Sequence, residues 1–176
     1  DKQADVVVVG FGAAGAATAI TAYDAGAKVL LLDKAPEGHE GGNTRVAGQG
    51  YLNTSSVDAA MAYLTALCGP YSVPDTMVRV WAEEMCQNNA WVESIGGDPQ
   101  EHQHQPVGIE FPELPGSDCV HKFHHGPVVG YSHTWDMLAR AVRERDIEIL
   151  YEAPGKELIQ HGVTREILGV RVERPG

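Results

Sequence analysis

The apolar positions of the first fifty residues form two short runs on either side of a small-residue helix pattern. Val6-Val7-Val8-Val9 is continuous, which predicts a parallel strand buried on both faces. It enters Gly10-Phe11-Gly12-Ala13-Ala14-Gly15. The alanine-rich stretch that follows predicts a helix from about Gly12 to Asp24, with Gly26 as its stop. Val29-Leu30-Leu31-Leu32-Asp33 reads as a second strand closed by an acid. Strand, glycine turn, helix, strand and acid is the order of a dinucleotide-binding βαβ unit.

Further along, the period is helical, then breaks, then returns. Ser55 or Ser56 is placed to cap a helix to about Leu67, with Asp58 near its positive end. Pro70 and Pro74 bracket a turn. Met77/Val78, Trp81, Met85, Val92 and Ile95 recur on one face, predicting a longer helix capped by Asp75 and ended by Gly96-Gly97. Residues 98–130 carry Pro99, Pro106, Pro112, Pro115 and Pro127 and predict an irregular excursion, with short strands near Val107–Phe111 and Val120–Phe123. A helix is expected from Thr134 to Arg145 and a strand over Ile147–Tyr151. Lys156–Gln160 and Ile167–Glu173 alternate around Gly162 as a hairpin or meander. The fold class expected is α/β: a Rossmann-type domain with a mainly parallel sheet, an irregular Pro/His-rich insertion and a C-terminal β-meander.

Composition narrows the partners. A chain of 176 residues is one ordinary domain by length, and 43% hydrophobic residues suffice for a core. The net charge of −11 argues against non-specific nucleic-acid binding and against an anionic membrane surface. No apolar run approaches the ~18 residues of a bilayer span. The first strand begins almost at once, so no targeting peptide is visible, and the missing initiator Met implies processing or trimming. Cys68, Cys86 and Cys119 are an odd set without C-x-x-C spacing; a reducing, cytoplasmic compartment is expected, with no disulfide framework.

The chemistry concentrates in two loops. Gly10 permits the tight turn, Gly12 lets backbone approach a pyrophosphate, and Gly15 lets the helix pack on the sheet. Ala13 and Ala14 open that helix, whose N–H groups and dipole favour phosphate. Asp33 lies 18 positions after Gly15, the spacing of an acid that binds ribose hydroxyls and repels a 2′-phosphate. Lys34 follows it. A plain NAD domain then usually has another helix. Here Gly41-Gly42-Asn43-Thr44-Arg45-Val46-Ala47-Gly48-Gln49-Gly50 reads instead as a structureless glycine-rich loop. It lets backbone pass close to a large flat ligand, and Asn43, Thr44 and Gln49 add polar groups.

With these motifs, strongest over residues 5–50, the chain resembles the flavoprotein family of fumarate reductase and succinate dehydrogenase. That family also holds soluble fumarate reductases, L-aspartate oxidase, tricarballylate dehydrogenase and 3-ketosteroid dehydrogenases. The resemblance implies FAD as cofactor. The Gly10–Gly15 loop would hold its pyrophosphate, Asp33 the adenosine ribose, and the 41–50 loop, with Ala47 and Gly48, the pyrophosphate and flavin edge. Backbone near Ala153-Pro154-Gly155, Gly155 above all, would contact the adenine. Asn43 stands where the membrane-complex members carry the histidine that attaches FAD, so the resemblance implies non-covalent FAD. It further implies oxidoreduction of a CH–CH bond beside a carbonyl or carboxylate, in a small-molecule substrate such as a dicarboxylate or a ketosteroid. The residue that handles the proton lies beyond residue 176 in the family, as do a capping domain and a C-terminal FAD segment. The chain is therefore expected to be the N-terminal part of an FAD-binding domain, inactive alone and completed by the rest of its polypeptide. No catalytic residue, electron donor or acceptor is readable from it. The alternative is an FAD- or NAD-binding module without activity of its own.

Six histidines cluster late: His102, His104, His121, His124, His125 and His133. Lys122, His124 or His125 could bias a flavin or touch substrate. A metal site built on His121, His124, His125 and Cys119 lacks the paired spacing of structural zinc, so no metal is expected.

Overall fold

A computed structural model describes residues 1–102, 109–127 and 132–173. The chain divides into two compact units, Asp1–Ala47 with Trp135–Gly176, and Gly48–Thr134.

The first unit is built on a parallel sheet in the order β1-β2-β6, with β1 at Val6–Val9, β2 at Val29–Leu32 and β6 at Glu148–Leu150. Helix α1 (Ala13–Asp24) connects β1 to β2 and buries Ala16, Ala19 and Ile20; the two small alanines let it lie close to the strands. All four residues of β2 are buried, as a strand paired on both edges and covered should be. The expectation of a fully buried β1 fails: Val7 and Val9 are 38% and 56% exposed. Among the described residues β1 pairs only with β2, so it is an edge strand. Gly26 (φ +91°) ends the turn after α1, its N–H donating to the Tyr23 carbonyl at 2.8 Å.

The expected structureless loop at 41–50 contains a short helix, α2 (Gly42–Val46), and the start of a strand, β3 (Gly50–Thr54). Tight bonds to the glycine turn, described below, hold α2 in a stretch whose composition favours loop. Late in the chain α6 (His133–Arg143) is the most apolar-faced helix, burying Trp135, Met137, Leu138, Ala139, Ala141 and Val142. The hairpin of β7 (Gly155–Gln160) and β8 (Ile167–Val172) is antiparallel, as expected. Its apolar Leu158, Ile159, Ile167 and Leu168 are exposed.

The second unit carries an antiparallel sheet in the order β3-β5-β4, with β5 at Val120–His125 and β4 at Pro99–Glu101. Helix α3 (Val57–Cys68) is capped by Ser56, whose hydroxyl accepts from the Ala59 N–H at 3.3 Å. The single long helix expected from Asp75 is two: α4 (Asp75–Met85) and α5 (Asn88–Ser94). Pro74, not Asp75, is the N-cap residue. The break has a tertiary cause. Asn88 Nδ2 donates to the Leu52 carbonyl at 2.7 Å and the Asn89 N–H donates to Asn53 Oδ1 at 3.1 Å, so α5 is pulled onto β3. Val78, Met85, Val92 and Ile95 are buried as the period requires, whereas Met77 faces out, 62% exposed. Ala60, Tyr63, Ala82, Met85 and Val120 form the core of this unit, with Leu52 and Trp81 packed against it.

The Pro-rich stretch is more regular than its prolines suggest. It supplies β4, a 3-10 turn at Ser117–Cys119 and β5. Val107 and Gly108 of the expected strand near Val107–Phe111 lie outside the described residues; Ile109 to Phe111 form no strand. Among the described residues no helix is long and apolar enough to cross a membrane.

Candidate functional site: a crevice between two glycine loops

The carboxyl ends of β1 and β2 open into a cavity of about 400 Å3. Its lining joins Gly10, Phe11 and Gly12 to Asp33, Lys34, His39 and Gly42, and to the Ala153–Gly155 turn. Residues distant in sequence are thus brought together where open α/β sheets hold ligands.

The glycine turn is fixed by geometry that other residues would break. Gly10 has φ +104°, a left-handed conformation that disfavours any side chain. A Cβ on Gly15 would lie 1.8 Å from the Gly10 carbonyl oxygen, so helix and turn touch backbone to backbone. Phe11 is fully buried, its ring edge-on to Trp135 with centroids 4.9 Å apart. Its N–H donates to Asp33 Oδ2 at 2.6 Å, and its carbonyl accepts from the Gly41 N–H at 2.8 Å. The Ala13 N–H donates to Thr44 Oγ1 at 3.1 Å. The Gly10 turn and the Gly41 turn are therefore laced together at two places.

Asp33, buried on the cavity wall, differs from expectation in its partners. Oδ2 holds Phe11 and Oδ1 accepts from the Ala35 N–H at 2.7 Å, so the carboxylate braces the turn as well as facing the cavity. Each oxygen keeps a further lone pair for a ribose hydroxyl.

Gly41 has φ +110°, and a Cβ there would come within 2.8 Å of the Trp135 ring. Asn43 is exposed on α2, and Ala14 and Gly15 stand behind the turn in α1 rather than on the cavity wall. Ala47 is exposed after α2. Gly48, Gln49 and Gly50 belong to the second unit, where Gln49 is buried at φ +63° and its carbonyl accepts from Thr134 Oγ1 at 2.9 Å.

A family model described as an FAD binding domain matches residues 5–176. The chain belongs to this FAD binding domain family. The cofactor of this family is FAD. The domain is 29% identical to an NADH:fumarate oxidoreductase of Klebsiella pneumoniae (strain 342), over 97% of this chain and 18% of that protein. It is also 29% identical to a fumarate reductase (cytochrome) of Shewanella frigidimarina, over 89% of this chain and 27% of that protein. The chain thus spans less than a third of these relatives. In fold, it superposes on a 3-ketosteroid-Δ4-(5α)-dehydrogenase of Rhodococcus jostii RHA1 with TM-score 0.79 at 20% identity, covering 99% of this chain and 42% of that one. A flavocytochrome c3 fumarate reductase gives 0.73 at 21% identity, covering 96% and 31%.

Four residues not singled out from the sequence stand at these turns: Phe11 and His39 on the cavity wall, and Glu40 and Trp135 at the Gly41 turn. Phe11 sits at a variable position of the glycine motif, and the others act through the tertiary fold. Among the described residues, the histidines of the second unit do not converge as a metal site would need. Alternation along β5 puts His121 and His125 on one face and His124 on the other. His121 Nδ1 pairs with Glu101 at 2.9 Å, and His125 Nδ1 accepts from the Asp98 N–H at 2.9 Å. His124 is buried beside the His102 ring, with centroids 5.6 Å apart. Burial, then His102, hold its imidazole below the usual histidine range, against the pull of Asp98.

Proposed function

We propose that this chain is the FAD-holding part of a flavin-dependent dehydrogenase or reductase. In this reading the intact protein acts on a CH–CH bond beside a carbonyl or carboxylate, as in a dicarboxylate or a ketosteroid. The observation that carries the reading is the convergence of the Gly10 turn, Asp33, Gly42 and Gly155 on one cavity at the carboxyl ends of parallel strands. The names of the two curated relatives and of the ketosteroid enzyme support the reaction class.

The cavity fits the ADP half of FAD rather than the whole molecule, lying near the lower end of the ~300–1,000 Å3 usual for ligand pockets. Gly10 and Gly12 present bare backbone to the pyrophosphate, and α1 adds its positive end. Asp33 faces the ribose, and the Ala153–Gly155 backbone the adenine. Lys34, exposed at the cavity, offers a cation to the phosphates. When bound, FAD supplies two-electron redox chemistry. This chain's own residues bind and orient it, and residues of the remaining polypeptide handle the substrate proton. Asn43 has no imidazole to bond the flavin, so the cofactor is non-covalent.

The test is the visible spectrum of the intact gene product before and after acid precipitation. Flavin bands released to the supernatant are expected. A colourless protein that takes up no added FAD overturns the reading. Fumarate reoxidising the reduced flavin, or a 3-ketosteroid bleaching the oxidised one, then separates the two substrate classes.

A further inference from the structure

We propose that Glu40 and Arg143 are positioning residues for the cofactor, their ion pair setting the Gly41–Thr44 turn in the shape that meets the dinucleotide. The inference rests on the FAD reading above. Glu40 is 2% exposed, although the four residues before it are all exposed. One of its oxygens accepts from the Arg143 guanidinium, and Oε2 has no partner among the described residues. Burying a carboxylate this way is unfavourable unless its partner is well placed.

The group is held inward by α6. Arg143 pairs with Glu40, and Trp135, eight positions earlier on the same helix, packs its ring against Gly41. From α2, Arg45 donates to the carbonyls of Gly38 and Glu40. Consecutive residues, Glu40 and Gly41, are thus gripped by one rigid helix. Through the Gly41 N–H the grip passes to the Phe11 carbonyl, and through Thr44 to the Ala13 N–H. The ion pair therefore sets the position of the second glycine turn against the first. Arg145, two residues on, pairs with Asp24 at 2.7 and 2.8 Å and touches neither turn, which makes it a matched control.

The experiment is FAD titration of the intact apoprotein, with visible circular dichroism of the bound flavin. Glu40→Gln and Arg143→Met are expected to weaken FAD about tenfold and to alter the flavin signal, because small misplacements of a binding element are costly. Arg143→Lys should restore most of the affinity, and Arg145→Met should bind as wild type. Glu40→Gln keeps shape while removing the buried charge, so it reports even where Arg143→Met does not fold. Wild-type affinity in Glu40→Gln, or an equal loss in Arg145→Met, overturns the proposal. A wild-type protein that takes up no FAD refutes the functional reading itself.

Discussion

The two units of the chain hold their turns by different means. In the first, backbone meets backbone around glycine, with Gly10 N–H to the Leu32 carbonyl at 2.7 Å and Gly41 N–H to the Phe11 carbonyl at 2.8 Å, and the Asp33 and Thr44 side chains brace the turns from behind by accepting from backbone N–H groups. In the second, side chains reach across. Thr54 Oγ1 donates to the Cys119 carbonyl at 2.7 Å, Asn88 to that of Leu52, Ser117 Oγ to that of Pro112 at 2.7 Å, and the Tyr63 hydroxyl to that of Glu110. The first arrangement leaves a bare backbone surface, which a phosphate can approach. The second fills its turns with side chains. The difference sets turns with bare backbone apart from turns closed by side chains.

The largest expected effect breaks the comparison at its glycines. A Cβ at Gly15 would meet the Gly10 carbonyl oxygen at 1.8 Å, and one at Gly116 would meet the Ala59 carbonyl oxygen at 2.0 Å. Each Gly→Ala change should cost about 3 kcal/mol, since neither obstacle is a flexible side chain. Urea unfolding of the intact protein measures this. Only Gly15→Ala should also lose FAD affinity in excess of its effect on stability. Asp33→Asn comes next. An amide can accept from one of the Phe11 and Ala35 N–H groups but must turn its NH2 on the other, a loss of about 1–3 kcal/mol that should appear as weaker FAD binding in a titration.

Tyr63→Phe probes the side-chain-held unit. It removes one hydrogen bond to the Glu110 carbonyl and should cost about 1 kcal/mol with FAD affinity intact, read by thermal melts and titration. The smallest effect is in pH. His124 titrates lower folded than unfolded, where it takes up a proton near 6.5. Between those two values the unfolded chain binds more protons, so stability from this group is present above about 6.5 and is lost as pH falls through the folded value. His124→Gln should flatten that part of the melting-temperature profile, and an unchanged profile would show that His124 does not contribute.

The same contrast explains what could be read from sequence. The βαβ unit was legible because its turn demands glycine at fixed spacing and its strands are unbroken apolar runs. The cap at Ser56 and the hairpin β7–β8 were legible for the same local reasons. The split between α4 and α5 was not, because Asn88 and Asn89 are held by β3, some thirty-five residues earlier. Strand β4 and the full length of β5 were hidden by prolines that fall at strand ends and turns. In the cradle, the glycines and Asp33 were visible as a motif. Trp135 was not, since only the packing of α6 on Gly41 gives it a role, and neither was Glu40, whose burial depends on Arg143.

The first unit's two laced turns are expected to hold the ADP half of FAD. Competition binding to the intact apoprotein tests it most directly. ADP should displace FAD, FMN should not, and Asp33→Asn should weaken ADP and FAD in parallel. FAD binding that ADP leaves untouched, or that FMN displaces, would contradict it.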